Sequence, residues 1–292
     1  MRQEQEVDGA PRFMTPLAHA YERAVSERPA DPGLFGPHSL VWRIHRDRSF
    51  PLAGMRSLMV QALHPLAMAG VAEHSTWQQD PFGRLAATGG YVLTVTYGDT
   101  ASAMHAAERV RQVHTFVRGT DPATGLPYRA DDPSLLLWVH AGLVDSIVEI
   151  VTRYGRALEP GDADRYVAEM VTFAEIVGVP REQVPASVAA LRDYLSSVEL
   201  RQATPAAREA IGIVLDPPGL APELRDLWHE LGQVAIGTLP EWAREMYGFD
   251  PTPPELLERE PVRQLIGAVD IAFESLPGVI EGRERIELRV RA

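Results

Sequence analysis

Two residue types are missing from this chain of 292 residues. It has no cysteine, and all 28 of its basic residues are arginine, so there is no lysine. The absence of cysteine excludes disulfides, thiolate zinc sites, iron–sulfur clusters and a thiolate-ligated haem. The absence of lysine excludes Schiff-base chemistry and the lysine of a phosphate-binding loop. Any transition metal must therefore rest on His, Asp, Glu, Tyr or Met.

The chain has fewer basic than acidic residues, 28 against 40, so its formal net charge is -12 and its pI is about 5.2. An acidic surface repels phosphates, so we expect neither nucleic acid nor an anionic membrane as a partner. Residues 1–14 lack the apolar run of a signal peptide. No stretch approaches an uncharged apolar segment long enough to span a membrane. We expect a cytoplasmic protein without a membrane span that acts on a small molecule, and a homodimer is left open.

The apolar pattern and the proline positions predict an all-α fold. Proline recurs near the beginnings of the segments, where it is tolerated in the first helical turn. We expect residues 1–30 to form an arm and a first helix, and 31–292 to form a single globin-like helical domain. The predicted helices cover 17–27, 57–71 (kinked at Pro65), 81–97, 101–117, 132–156, 160–177, 185–197, 205–214, 222–236, 240–246 and 254–276. Residues 120–128 are predicted as a loop, and 283–291 as a short strand or extended tail.

The helix predicted over 101–117 places His114 on an apolar face, one turn before Arg118. A planar macrocycle needs such a wall, with an imidazole for iron and an arginine within reach of a propionate. A core histidine bonded to a backbone carbonyl would give the same pattern, so both interpretations stay open. The small apolar residues that share the face of His114 are Ala103, Ala106, Ala107, Val110, Val113 and Val117.

A second pair, Arg84 and Thr88, lies four residues apart on the helix that begins at Asp80-Pro81, so the two side chains share a face. In a dry pocket Thr88 could donate a hydrogen bond and Arg84 could hold an anionic group. The alternative is an arginine facing solvent and a threonine bonded back to its own helix.

Two further histidines are candidate ligands. His64 precedes Pro65, where a helix kink frees backbone groups, and His140 lies among leucines and valines. Glu73 and His74 are adjacent, so on a helix they point about 100° apart and cannot share a metal. The chain has no H-E-x-x-H motif and no G-x-S-x-G elbow. Histidines without a closed ligand motif favour a single axial ligand over a metal cage built by the protein.

An ordered set of short motifs resembles the bacterial latex-clearing proteins (rubber oxygenases) and the mycophenolate-pathway oxygenase of fungi. The resemblance spans about residues 35–250 and implies a globin-like, all-helical fold that binds haem b. The motifs are Gly36-Pro-His-Ser-Leu-Val-Trp42-Arg43, Gln61-Ala-Leu-His64-Pro65, Glu73-His-Ser75, Asp80-Pro-x-x-Arg84-x-x-x-Thr88, Tyr97-Gly98, His114-x-x-x-Arg118, Tyr128, Asp132-Pro133 and Trp138-Val-His140.

The resemblance implies roles for individual residues. His114, followed by Arg118, matches the proximal iron ligand of the rubber oxygenases, with His140 and His64 as alternatives. Arg84 and Thr88 match the arginine and threonine of the distal side. The distal glutamate base has Glu73 as its nearest counterpart.

One position departs from the family, because the rubber oxygenases carry a lysine where this chain has Ala87. A lysine-capped iron is therefore excluded, and polyisoprene is not assumed as the substrate. We expect a haem b-dependent oxygenase that uses O2 on an apolar isoprenoid or natural-product substrate in biosynthetic tailoring. A non-catalytic haem or gas-binding protein, or a helical relative that has lost haem, remains an alternative.

Overall fold

A computed structural model describes residues 29–274 and 277–291, without the side chains of 272–274, 277 and 278. The helix predicted over 17–27, and with it most of the N-terminal unit predicted over 1–30, lies outside the described residues. The described chain forms the helices α1 (Leu40–His45), α2 (Phe50–Gln61), α3 (Pro65–His74), α4 (Pro81–Tyr97), α5 (Thr100–His114), α6 (Pro133–Tyr154), α7 (Asp162–Glu175), α8 (Val188–Ser197), α9 (Pro205–Leu215), α10 (Arg225–Gly237), α11 (Glu241–Tyr247), α12 (Arg259–Glu274) and α13 (Pro277–Arg291).

A small hairpin and three short 3-10 turns complete the described elements. Strands β1 (Arg118–Thr120) and β2 (Pro127–Arg129) pair antiparallel, with Gly119 opposite Tyr128. The 3-10 turns cover Arg181–Gln183, Pro222–Leu224 and Pro254–Leu257. The predicted all-α fold is confirmed, because this hairpin is the only sheet in the described part of the chain.

Three local predictions were wrong. The helix predicted over 57–71 is two helices, because His64 is extended (φ -90°, ψ 110°) before Pro65; a residue before proline is driven out of the helical region. Part of the loop predicted over 120–128 pairs as the hairpin. The predicted strand or tail over 283–291 is helical and belongs to α13, whose Ile286 is buried in a small cluster with Trp42.

Acidic and hydroxyl side chains accept hydrogen bonds from backbone N–H groups at the beginnings of several helices. These capped helices include the two that carry the predicted site residues on α4 and α5. The Asp80 carboxylate accepts a hydrogen bond from Gly83 N before α4, and Asp99 accepts one from Ser102 N before α5. Each cap satisfies a backbone N–H that has no partner within the helix. The helices that carry Arg84, Thr88 and His114 therefore begin at positions that local chemistry determines.

Helices α2 and α6 form the most extensive helix pair and the centre of the core. Gly142 permits the close approach, because a Cβ there would lie 3.1 Å from Gln61 Cγ. Trp138 is fully buried, and its indole N–H donates to Gln61 O at 3.0 Å. Contrary to the sequence-based expectation, Pro133–Tyr154 is long and apolar enough to cross a membrane, but 78% of its most apolar window is buried inside the protein. Its hydrophobicity is accounted for by this central position.

A buried ion pair joins the same two helices. Arg56 of α2 lies 2.9 Å from an Asp145 carboxylate oxygen of α6, and both side chains are almost fully buried. The Arg56 guanidinium also donates to Thr238 O at 2.9 Å and to Ser146 Oγ at 2.7 Å. A buried charge needs such partners, because losing one would leave an uncompensated charge in the core.

Helices α4 and α5 form an antiparallel hairpin that packs chiefly on itself, and α4 reaches α1 at its far end. There His45 is enclosed: one ring nitrogen lies 2.8 Å from Thr96 Oγ1 of α4, and the other lies 2.9 Å from Tyr166 Oη of α7. Burial lowers the pKa of His45 from 6.5 to about 3.

Replacing Ile147, which is fully buried on α6, tests the core. Ile147→Ala is expected to lower the free energy of unfolding by about 2–5 kcal/mol, because it removes buried methyl groups and leaves a cavity. Urea denaturation measures the change. The control is Ile271→Ala, since Ile271 is 69% exposed; equal losses in the two variants would contradict the assignment of the core.

Because His45 is buried, we expect the free energy of unfolding to decrease as the pH falls below 6.5. Between pH 6.5 and about 3 the unfolded chain binds a proton at His45 that the folded chain does not, so stability falls as the pH falls through this window. His45→Gln is expected to reduce that dependence by up to about 1.4 kcal/mol per pH unit. Urea denaturation at pH 7, 6 and 5 measures it, and identical slopes for variant and wild type would contradict the prediction.

Candidate functional site

One face of α4 forms an open wall. Arg84, Ala87, Thr88 and Tyr91 occupy positions i, i+3, i+4 and i+7, so they lie on the same side of the helix. The first three are exposed, and Tyr91 is half-buried. Three of these residues are the predicted arginine and threonine and the alanine at the family's lysine position.

Arg84 and Thr88 contact each other directly. The Arg84 guanidinium donates to the Thr88 hydroxyl, which in turn donates to Arg84 O at 3.1 Å. The Thr88 side chain, which is part of the wall, thus also hydrogen-bonds to the backbone of its own helix. The Arg84 side chain is accessible, yet desolvation lowers its pKa.

His114 is the last residue of α5 and is half-buried. Its Nδ1 is buried with no hydrogen-bond partner. Burial lowers the pKa of His114, the positive charge of Arg84 lowers it further, and Asp131 opposes both effects. The structure therefore brings His114 and Arg84 close enough to interact electrostatically, although they share no hydrogen bond.

The apolar stripe around His114 is buried at one end only. Ala103, Ala106 and Ala107 are buried, but Val113 is 59% exposed. Small side chains therefore line the inner part of the helix, and the end with His114 is more open. The predicted contact of this face with a macrocycle stays a prediction.

Arg118 lies at the beginning of β1, opposite Arg129, and is exposed. Its guanidinium donates to the backbone oxygen of Thr115. Arg129 pairs with Asp131 at 2.8 Å. The hairpin thus places arginine side chains near the carboxyl end of α5, and the predicted contact of Arg118 with a propionate stays a prediction.

His64 is the residue before α3, and it is 7% exposed. Its ring centroid lies 5.6 Å from that of Trp138, and Nδ1 is buried without a partner. Burial lowers the pKa of His64 to about 4, against the opposing charge of Asp132.

His140 is buried on α6, as the sequence indicates. It is 6% exposed, its Nδ1 is buried without a partner, and burial lowers its pKa to about 4. Its ring stacks on Phe173 of α7, with 6.3 Å between the centroids.

Glu73 lies at the other end of α3, against the hairpin. Its carboxylate accepts a hydrogen bond from the Tyr128 hydroxyl, and the His74 ring nitrogen lies 3.9 Å away. A Cβ at Gly119 would come within 2.7 Å of Glu73 Oε2. No contact with the Arg84 wall is recorded among the described residues, and a role of Glu73 as a base stays a prediction.

The sequence reasoning missed Tyr91 and Phe173. The Tyr91 ring packs edge-on against Phe173, with 5.5 Å between the centroids. Tyr91 lies seven residues after Arg84 and three after Thr88, so helical periodicity was the signal that could have found it. Phe173 comes from α7, and no local pattern links it to α4.

The residues present fit an imidazole-ligated planar group. Three buried histidine nitrogens, on His64, His114 and His140, have no hydrogen-bond partner, whereas buried polar atoms in folded proteins are nearly always paired. His114 lies close enough to Arg84 for the arginine charge to lower its pKa, on a helix whose most extensive contact is with α4. In the described ranges no three His, Asp or Glu side chains converge on a metal position. A single histidine ligand to a prosthetic group suits this arrangement better than a metal cage.

A comparison with known protein families identifies the class of protein to which the chain belongs. The chain matches the family described as "ER-bound oxygenase mpaB/B'/Rubber oxygenase, catalytic domain" over residues 42–270. It belongs to this family. No curated protein and no solved structure matches it significantly. The matched range contains both the α4 wall and His114, so the predicted family is confirmed and the chain has the catalytic domain of an oxygenase.

A groove of about 380 Å³ lies elsewhere on this oxygenase domain. It is lined by residues that include Arg56, Asp145, Arg192 and Trp242, and by none of the predicted site residues. Ion pairs fill its floor: Arg192 lies 2.8 Å from Glu149, and Arg56 lies 2.9 Å from Asp145. These pairs engage four of its five charged side chains, and Asp193 is the fifth.

The electrostatic link between Arg84 and His114 can be tested directly. Arg84→Gln is expected to raise the pKa of His114, because the positive charge that opposes protonation is removed. Titration of the imidazole signals by NMR in the purified protein measures the shift. The matched variant Arg109→Gln changes an exposed arginine of α5 and should leave the His114 curve in place. An unchanged curve in Arg84→Gln would contradict the proximity of the two groups.

Proposed function

We propose that this chain is a haem b-dependent oxygenase that uses O2 on an apolar substrate. The observation that carries the proposal is His114: an imidazole with a buried, unpartnered nitrogen, close enough to Arg84 to feel its charge, within the matched oxygenase domain. Haem b would supply redox-active iron for the reaction with O2.

Individual residues of the chain would have separate roles around the bound haem. His114 would hold the iron as a neutral imidazole, a state favoured by the lowered pKa of the ring. Arg118 and Arg84 would neutralise anionic groups such as propionates. The Thr88 hydroxyl, which Arg84 holds by a hydrogen bond, would orient a polar atom on the α4 side. Ala87 offers no group that could cap the iron.

The substrate proposal follows from the wall around the site. The half-buried ring of Tyr91, which packs against Phe173, is an apolar surface that suits an isoprenoid or a similar natural product. A biosynthetic tailoring role in the cytoplasm, rather than digestion of polyisoprene, agrees with the missing capping lysine and the acidic composition.

Reconstitution with hemin tests the proposal. Wild-type protein is expected to take up hemin and give a Soret band, and His114→Ala to lose most of it, because the iron loses its protein ligand. His105→Ala is the matched control, since His105 is exposed on the same helix. Circular dichroism shows that each variant has folded.

Each other outcome has a defined meaning. Uptake by His114→Ala equal to wild type would reject His114 as the ligand, and loss of the band in His64→Ala or His140→Ala would move the ligand there. A folded protein that takes up no hemin would reject haem dependence. Hemin binding without O2 consumption on a panel of isoprenoids would favour a gas-binding protein.

A further inference from the structure

The carboxyl end of α5 leads directly into the β hairpin, and the β hairpin lies against α3. Val117 N donates to His114 O at 3.2 Å, and Val117 O accepts a hydrogen bond from Ala130 N at 2.9 Å. The Val117 side chain packs against a small cluster that includes Ala69 of α3 and Tyr128 of β2. The position of His114 is therefore linked to the position of the β hairpin on α3.

One contact joins α3 to both strands of the β hairpin. Tyr128 Oη of β2 donates a hydrogen bond to the Glu73 carboxylate of α3. A Cβ at Gly119 of β1 would lie 2.7 Å from Glu73 Oε2 and 2.7 Å from Tyr128 Oη, so the close approach of the three segments requires glycine at this position. We refer to Glu73, Gly119 and Tyr128 as the hairpin contact.

The hydrogen bond in the hairpin contact is of a strong kind. Burial raises the pKa of Tyr128, and the Glu73 carboxylate raises it further, so the phenol keeps its proton and remains a donor at physiological pH. A hydrogen bond to a charged acceptor contributes more than one between neutral groups. Within the described ranges no other hydrogen bond joins α3 to the two strands. Apart from apolar packing, the attachment of the β hairpin thus depends on this pair.

We propose that the hairpin contact holds the His114 end of α5 in place, which makes Glu73 and Tyr128 positioning residues of the oxygenase site. The inference rests on the proposed function in one respect, because the imidazole that is held in place is taken as the iron ligand. It gives Glu73 a role that needs an acceptor oxygen and no proton transfer, unlike the role of a base.

Limited proteolysis with trypsin tests the attachment of the β hairpin without haem. Trypsin cuts after arginine, and each strand carries one exposed arginine, Arg118 and Arg129. Cutting after Arg56, which is buried in the middle of α2, reports global unfolding. Tyr128→Phe is expected to raise the rate of cutting in the β hairpin, relative to that at Arg56, by about tenfold or more, because one hydrogen bond to a charged group is lost.

Matched variants separate the hydrogen bond from other effects. Tyr154→Phe removes a hydroxyl that donates to Leu257 O at 3.2 Å, away from the β hairpin, and should leave the ratio of rates unchanged. Glu73→Gln keeps an acceptor oxygen and should stay closer to wild type than Glu73→Leu, which has none. Gly119→Ala should raise the ratio, because its methyl group would displace β1.

A ratio in Tyr128→Phe and Glu73→Leu equal to that of wild type would overturn the proposal. So would a Glu73→Gln variant that is cut as fast as Glu73→Leu, because the acceptor oxygen would then have no part in the attachment.

The rate of hemin release tests whether the hairpin contact serves the iron ligand. Tyr128→Phe and Glu73→Leu are expected to release hemin about tenfold faster than wild type, because residues that orient a metal ligand affect affinity to this extent. Ile147→Ala is the control, since it weakens the core and should change the release rate less. Release from Tyr128→Phe at the rate of wild type or of Ile147→Ala would overturn the positioning role.

A wild-type protein that takes up no hemin separates the two proposals. Haem dependence would then be rejected, and the proteolysis would decide the hairpin contact by itself. Faster cutting of the β hairpin in Tyr128→Phe, with Glu73→Gln close to wild type, would still support the hairpin contact in that protein.

Discussion

The packing of α2 against α6 is the interaction on which the rest of the structure depends. It buries Trp138 completely, brings the backbones close at Gly142, and encloses the Arg56–Asp145 ion pair. Such a core tolerates little change in volume or charge, because interiors are close-packed and a buried charge needs its partner. The same helix α6 carries His140 on another face, so the rigid centre of the fold also holds one candidate site residue.

The pair of helices α4 and α5 is less enclosed by the rest of the fold than this centre. It packs chiefly on itself, and its wall combines accessible and desolvated groups. Nδ1 of His114, at the end of α5, is buried without a hydrogen-bond partner, and so are Nδ1 of His64 and Nδ1 of His140 on other elements of the described fold. An unpaired buried polar atom costs stability.

Local chemistry made much of the fold predictable. The Asp80-Pro81 and Asp132-Pro133 pairs and the cap at Asp99 mark helix beginnings to within a residue or two. Periodicity placed Arg84 with Thr88 and His114 with the buried alanines. It failed at the break before Pro65 and at α13, where burial of Ile286 supplies stability that an alternating pattern of apolar and charged residues did not reveal.

The sequence by itself determined the chemistry that is available. Without cysteine or lysine, histidine is the natural ligand for a transition metal, and the methyl side chain of Ala87 offers no group that could bind one. Only the tertiary structure decided which distant residues meet: His114 with Arg84, Glu73 with Tyr128, and Phe173 separately with Tyr91 and with His140. The physical reason is that capping and periodicity act over a few residues, whereas such meetings depend on how whole helices pack.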